Sequence, residues 1–129
     1  NNRSELVKTA DNTLIVDAYN ANPTSMAAAL DSFEQIDTKL PKMAILGDMR
    51  ELGAVSEEEH QKVVDTLKAK GLNDVWLVGE EFGKTQCDFH KYNNVEEVKQ
   101  AIAGHKPTGK CILIKGSNGT KLFELPALL

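Results

Sequence analysis

Short runs of unbroken apolar residues alternate along this chain with stretches where apolar positions recur every three or four residues. Met43-Ala44-Ile45-Leu46, Val75-Trp76-Leu77-Val78 and Cys111-Ile112-Leu113-Ile114 carry no polar face. Strands buried on both sides have this pattern. Between them, Met26, Leu30 and Phe33 stand at i, i+4 and i+7, one helical face. Val63, Val64 and Leu67 make a second stripe, and Val95, Val98 and Ile102 a third. Helix punctuation fits these stripes. Asn22 before Pro23 is an N-cap followed by proline at the first helical position. Ser56 with Glu59 reads as a capping box, Gly71 as a helix stop, and Ser117 as the cap of a last helix running through Leu125. The chain opens differently, with Leu6-Val7-Lys8-Thr9 and Thr13-Leu14-Ile15-Val16 separated by Ala10-Asp11-Asn12. Asp and Asn tolerate turn geometry, so this predicts an antiparallel hairpin. The expected architecture is α/β, a Rossmann-like three-layer sandwich. Its sheet would be mostly parallel, of about six strands, with one antiparallel edge strand from the N-terminal hairpin.

Composition narrows the class. A length of 129 residues suits one domain spanning the whole chain. Fractions of 41% hydrophobic and 26% charged residues exclude a disordered tail, a collagen-like rod or a coiled coil. The net charge of −4, without a basic cluster, argues against nucleic acid as a partner. No apolar run approaches the ~18 residues that cross a bilayer, and no signal segment opens the chain, so the expected location is the cytoplasm. Cys87 and Cys111 then read as reduced, small buried hydrophobes. The first residue is Asn1 and not methionine, as expected of a piece of something longer.

Ligands of open α/β sheets bind outside the carboxyl ends of the strands. The most polar and glycine-rich points of this chain lie there. They are Asp17-Ala18-Tyr19-Asn20-Ala21-Asn22-Pro23, Gly47-Asp48-Met49-Arg50-Glu51-Leu52-Gly53, Gly79-Glu80-Glu81-Phe82-Gly83 and Lys115-Gly116-Ser117-Asn118-Gly119. Gly79 through Thr85 is a near-miss to a phosphate-binding loop, with three residues between its glycines where four are required. Its two carboxylates would also repel phosphate. Gly116-Ser117-Asn118-Gly119 lacks the glycine spacing of a dinucleotide fingerprint. His60, His90 and His105 share no metal-ligand spacing, so no metal site is expected. His60 lies on the inner stripe of its helix and reads as a satisfied, partly buried histidine, or as a support for the Gly47 loop. The residues alone describe a ligand-binding domain without self-sufficient catalytic machinery.

The run from Asp17 through Met26 resembles the start of the C-terminal domain of the Mur ligases, in their D-alanyl-D-alanine-adding branch. Leu46 through Gly53, Ser56 through His60, and Ile114-Lys115-Gly116-Ser117 agree with it in order and spacing. Asn1-Asn2-Arg3-Ser4 resembles the end of the family's central domain, just before the boundary. The resemblance implies an ATP-dependent amide ligase that joins D-alanyl-D-alanine to UDP-N-acetylmuramoyl-tripeptide in peptidoglycan synthesis. The enzyme's own N-terminal and central domains would be this chain's partners, in a monomer. The central domain would carry the P-loop, most of the ATP contacts and Mg2+, leaving the isolated C-terminal domain inactive. Position by position, the resemblance implies that Asp17 accepts hydrogen bonds from the ATP ribose, with Tyr19, Asn20 and Asn22 beside it. Asp48, Lys115, Gly116, Ser117 and Asn118 would face the dipeptide.

Two positions depart from the family. Asn118 stands where arginine is common after the Lys-Gly-Ser turn, so Lys115 or Lys121 would have to supply that charge. Val16-Asp17 replaces a pair of aspartates. The alternative is a free-standing ligand-binding or receiver-like signalling module, but a receiver needs an acidic pair at the first strand end.

Overall fold

The computed structural model describes residues 4–129. The opening Asn1-Asn2-Arg3, most of the stretch read as a preceding domain's tail, lies outside the described residues. One sheet of six strands has the order β1-β2-β6-β3-β4-β5. These are β1 (Glu5–Lys8), β2 (Thr13–Asp17), β3 (Lys42–Gly47), β4 (Val75–Val78), β5 (His90–Tyr92) and β6 (Cys111–Lys115). Only β1 with β2 is antiparallel. The mostly parallel α/β sandwich expected from the apolar runs is therefore what forms.

Helices α1 (Pro23–Glu34), α2 (Ser56–Ala69), α3 (Glu80–Gly83) and α4 (Val95–Gly104) connect the strands. Strand alternation explains why the central runs have no polar face. Cys111 and Leu113 of β6 point to one layer, while Ile112 and Ile114 point to the other. The first layer packs Leu30 and Phe33 of α1, Leu67 of α2 and Phe82 of α3 on the sheet. The second packs Val98 and Ile102 of α4 with Leu122, Leu125 and Leu129. The chain thus steps outward along one face from β2 to β5, then returns over the other to insert β6 between β2 and β3. That insertion lays the carboxyl ends of β2, β6 and β3 side by side.

The cap at Asn22 forms as read: its Oδ1 accepts from the Ser25 amide at 2.8 Å, with Pro23 at the first helical position. Three expectations need correction, and two short elements were not foreseen. The last helix is absent; 3-10 turns cover Asn118–Thr120, Leu122–Glu124 and Pro126–Leu128. Lys121 between the first two is left-handed (φ 59°), and Pro126 has no amide to continue a helix. Ser117 caps nothing, because its buried Oγ has no hydrogen-bond partner among the described residues. Ser56 makes no capping box either. A 3-10 turn at Gly53–Val55 leads into α2, and Ser56 is already helical. Finally, α3 and β5 were not expected as elements. They hold four and three residues, too few to show a period.

Candidate functional site

The register sets the first half of the site. Asp17 of β2 pairs directly with Lys115 of β6 in the parallel ladder, so both side chains leave the same face at adjoining strand ends. Lys115 Nζ donates to Asp17 Oδ2 at 2.7 Å and to the Asn20 carbonyl at 3.1 Å. The lysine side chain is only 1% exposed, and the aspartate's 13%. Asn20 itself is exposed, whereas the Asn22 carbonyl group is spent on the α1 cap. Tyr19 is 46% exposed and its ring stacks on Phe123, with centroids 5.6 Å apart and planes 8° apart. Phe123 carried no sequence signal, because its partner Tyr19 lies about a hundred positions away along the chain.

The second half gathers where β3 and β4 end. Asp48 is buried, and its Oδ2 and Oδ1 accept from the Glu81 and Phe82 amides, each at 2.9 Å. A carboxylate at the start of a helical turn satisfies donors that otherwise lack partners. The near-miss at Gly79 is explained by this contact, since the amides that a phosphate-binding loop would offer to phosphate are given to Asp48. Gly79 lies at φ +125°, and a β-carbon on it would sit 2.3 Å from the Asp48 carboxyl group. Gly116 is a contact of another kind: a β-carbon there would lie 2.8 Å from Thr120 Oγ1 and 3.0 Å from the Gly47 Cα. Its bareness lets β3 and β6 close against the turn after Ser117.

His60 secures the same loop. Its Nε2 accepts from the Met49 amide at 3.0 Å, and its Nδ1 lies 2.7 Å from the Ser56 carbonyl. A carbonyl only accepts, so Nδ1 carries the proton and both ring nitrogens are satisfied. The ring meets Phe82 edge to face at 4.7 Å and is fully buried, more so than its sequence position suggested. Of the two readings, the support for the strand-end loop is the one the geometry favours.

Ser56 extends this network. Its hydroxyl donates to Glu81 Oε1 at 2.6 Å. That bond first, and Lys84 second, hold the Glu81 carboxyl below the ordinary carboxylate value of 4.5. A lowered value means that the folded state favours the ionised form. The stabilisation is therefore present above pH 4.5 and fades as pH falls through the lower folded value. Ser56→Ala should cost about 0.5–1 kcal/mol near neutrality. Urea denaturation followed against pH should show that difference shrinking in acid; a difference independent of pH would remove Glu81 from the account.

A cleft of about 760 Å³ opens over this half. Asp48, Arg50, Glu51, Glu81, Asn94 and Lys121 are among the residues lining it. Arg50 lies over Gly119, where an added β-carbon would be 2.9 Å from the guanidinium carbon. Asn118 is exposed beside it. Arg50 belonged to a segment noted for polarity, yet only the fold shows that it stands next to the residue after Asn118. Among the described residues, no three His, Cys, Asp or Glu side chains converge as metal ligands. Nor is any described helix long and apolar enough to cross a membrane. Cys111 is buried, which pushes its thiol up, and Cys87 is half-buried.

The chain as a whole is similar to known proteins. The family model for the Mur ligase glutamate ligase domain matches residues 2–118. The UDP-N-acetylmuramoyl-tripeptide–D-alanyl-D-alanine ligase of Bacillus subtilis is 33% identical over 95% of this chain, which covers 29% of that protein. The ligase of the same description from Escherichia coli is 40% identical over 92% of this chain and is covered to 27%. The chain therefore spans less than a third of the length of these curated relatives. A crystal structure of MurF from Acinetobacter baumannii superposes with a TM-score of 0.78 at 29% identity, over 98% of this chain and 29% of that one. MurF from Thermotoga maritima, solved in complex with ADP, shares the fold at a TM-score of 0.80 and 20% identity, over 98% and 30% of the two chains. With strand-end motifs, sheet order and family model in agreement over nearly the whole chain, the protein belongs to the Mur ligase family.

Proposed function

We propose that this chain is the closing, amine-presenting domain of an ATP-dependent amide ligase that joins D-alanyl-D-alanine to UDP-N-acetylmuramoyl-tripeptide. The single observation that carries the reading is the two-part rim. An ion-paired Asp17 stands at the end of β2, and a charged cleft opens beyond β3, with β6 between them. The relatives from Bacillus subtilis and Escherichia coli, whose names state this reaction, support it.

In this reading a preceding domain holds ATP and Mg2+ and turns the tripeptide's terminal carboxylate into an acyl phosphate. This chain supplies Asp17 for the ribose hydroxyls, with Tyr19 and Asn20 lining the nucleotide side and Asn22 beside them shaping the turn into α1. An ionised carboxylate accepts and never donates, which suits a diol. The dipeptide lies on the Asp48 side, in the cleft. Arg50 and Lys121 there provide cations for its carboxylate, in the role that Asn118 cannot fill, and Glu81 and Glu51 provide anions near its ammonium group. The deprotonated amine attacks the acyl carbon, the new amide forms, and inorganic phosphate leaves. Gly116 and Ser117 shape the turn beside this path. Residues 1–4 are the tail of the preceding domain, the partners are the enzyme's own other domains, and the working form is a cytoplasmic monomer.

The test is phosphate release by the full-length enzyme carrying this domain, given ATP, magnesium and the UDP-linked tripeptide. Release should require D-alanyl-D-alanine. Release that ignores the dipeptide in favour of another amine would overturn the substrate assignment.

A further inference from the structure

We infer that Lys115 is a positioning residue for Asp17 on the nucleotide side, and not a contact for the dipeptide. The inference rests on the reading of Asp17 as the acceptor of the ribose hydroxyls. Lys115 is the polar residue of an otherwise apolar central strand, and its side chain is 1% exposed. It has almost no surface left to offer a substrate. Its ammonium group points along the sheet to Asp17 Oδ2 at 2.7 Å and to the Asn20 carbonyl at 3.1 Å. Those partners belong to the end of β2 and the turn into α1, on the opposite side of β6 from the cleft beyond β3.

The chemistry follows from this arrangement. A carboxylate rotating freely at a strand end would present either oxygen. Fixing Oδ2 on the ammonium group leaves Oδ1 as the oxygen available to a ligand, because among the described residues the hydrogen bonds of Asp17 reach only Oδ2. The same ammonium group ties down the Asn20 carbonyl and so sets the turn that carries Tyr19 and Asn20. A charge-assisted pair of this length, mostly out of water, holds its geometry better than an exposed one. Lys115 thereby does for Asp17 what an orienting residue does for a functional carboxylate: it selects which oxygen faces the ligand before the ligand arrives.

The experiment compares ATP with 2′,3′-dideoxy-ATP in the full-length enzyme and its Asp17→Asn, Lys115→Met and Lys115→Arg variants. Removing both ribose hydroxyls should lower kcat/KM about tenfold or more in the wild type. Lys115→Met should raise KM for ATP and shrink the ATP preference to about twofold, leaving KM for D-alanyl-D-alanine within about twofold. A merely structural role would lower the folded fraction without changing the ratio between the two nucleotides. If Lys115→Met does not fold, Lys115→Arg keeps the charge while moving the donor, and it should reduce the same preference partially. A wild-type preference that persists undiminished in the lysine variants, or a rise confined to the dipeptide KM, would overturn the inference. No preference in the wild type, with no ATP effect of Asp17→Asn, would instead overturn the reading of Asp17.

Discussion

Gly79→Ala should destabilise the fold by about 3 kcal/mol or more, out of proportion to one added methyl group. Gly79 lies at φ +125°, a conformation that L residues rarely adopt. Strain of that kind alone costs about 1–3 kcal/mol. The added carbon would also lie 2.3 Å from the Asp48 carboxyl carbon and one of its oxygens. Asp48 would have to withdraw from the Glu81 and Phe82 amides, and each charge-assisted bond is worth about 1.5–3 kcal/mol. Gly83 is the control in the same turn, since a β-carbon there meets nothing within 4 Å and its φ is ordinary. Urea denaturation should show a large fall in midpoint for Gly79→Ala and a change of about 0.5 kcal/mol or less for Gly83→Ala. Equal midpoints for the two variants would mean that the Asp48 clasp does not hold α3.

His60→Leu should cost about 2–5 kcal/mol although it replaces a polar residue in the core with an apolar one of similar size. The imidazole satisfies the Met49 amide at one nitrogen and the Ser56 carbonyl at the other. Leucine leaves Met49 N–H without an acceptor in a fully buried pocket, at about 1–3 kcal/mol, and removes the bond to Ser56 as well. The loss should reach the site, because Met49 follows Asp48 in the loop that borders the cleft. In the full-length enzyme we therefore expect a raised KM for the dipeptide together with a lowered melting temperature. His60→Gln can offer one acceptor in place of Nε2 and should recover part of both. A leucine variant as stable as the wild type would show that the network contributes nothing net.

The two glycine and histidine effects mark where sequence reasoning reached and where it stopped. Apolar runs with no polar face could only be strands covered on both sides, so the parallel sheet was legible from Met43, Val75 and Cys111 onward. The stripes at Met26, Val63 and Val95 were legible for the same reason, because burial imposes a period on any element long enough to show one. Elements of three or four residues show no period, and α3 and β5 were missed on that account. The last helix failed differently. The apolar spacing of Leu122 and Leu125 fits a helix, but left-handed Lys121 and Pro126 break it into turns that still bury both leucines. Ser56 had the right neighbours for a capping box, yet its hydroxyl found Glu81, a partner 25 positions away.

The site divides along the same line. The sequence by itself determined the fold class, the family resemblance and the rim on which Asp17, Asp48 and Lys115 fall, since these depend on periodicity and on order along the chain. Tertiary structure alone decided what each of those side chains touches. Lys115 pairs with Asp17 only because β6 inserts beside β2, and Arg50 meets Gly119 only because two strand-end loops converge. Asn12, read as a turn residue, is buried with its amide on the Pro107 and Leu129 carbonyls, each at 2.9 Å. Hydrogen bonds and ion pairs act over about 3 Å in space, whatever the distance along the chain. Partners separated by 98 residues, as Asp17 and Lys115 are, leave no local pattern to read.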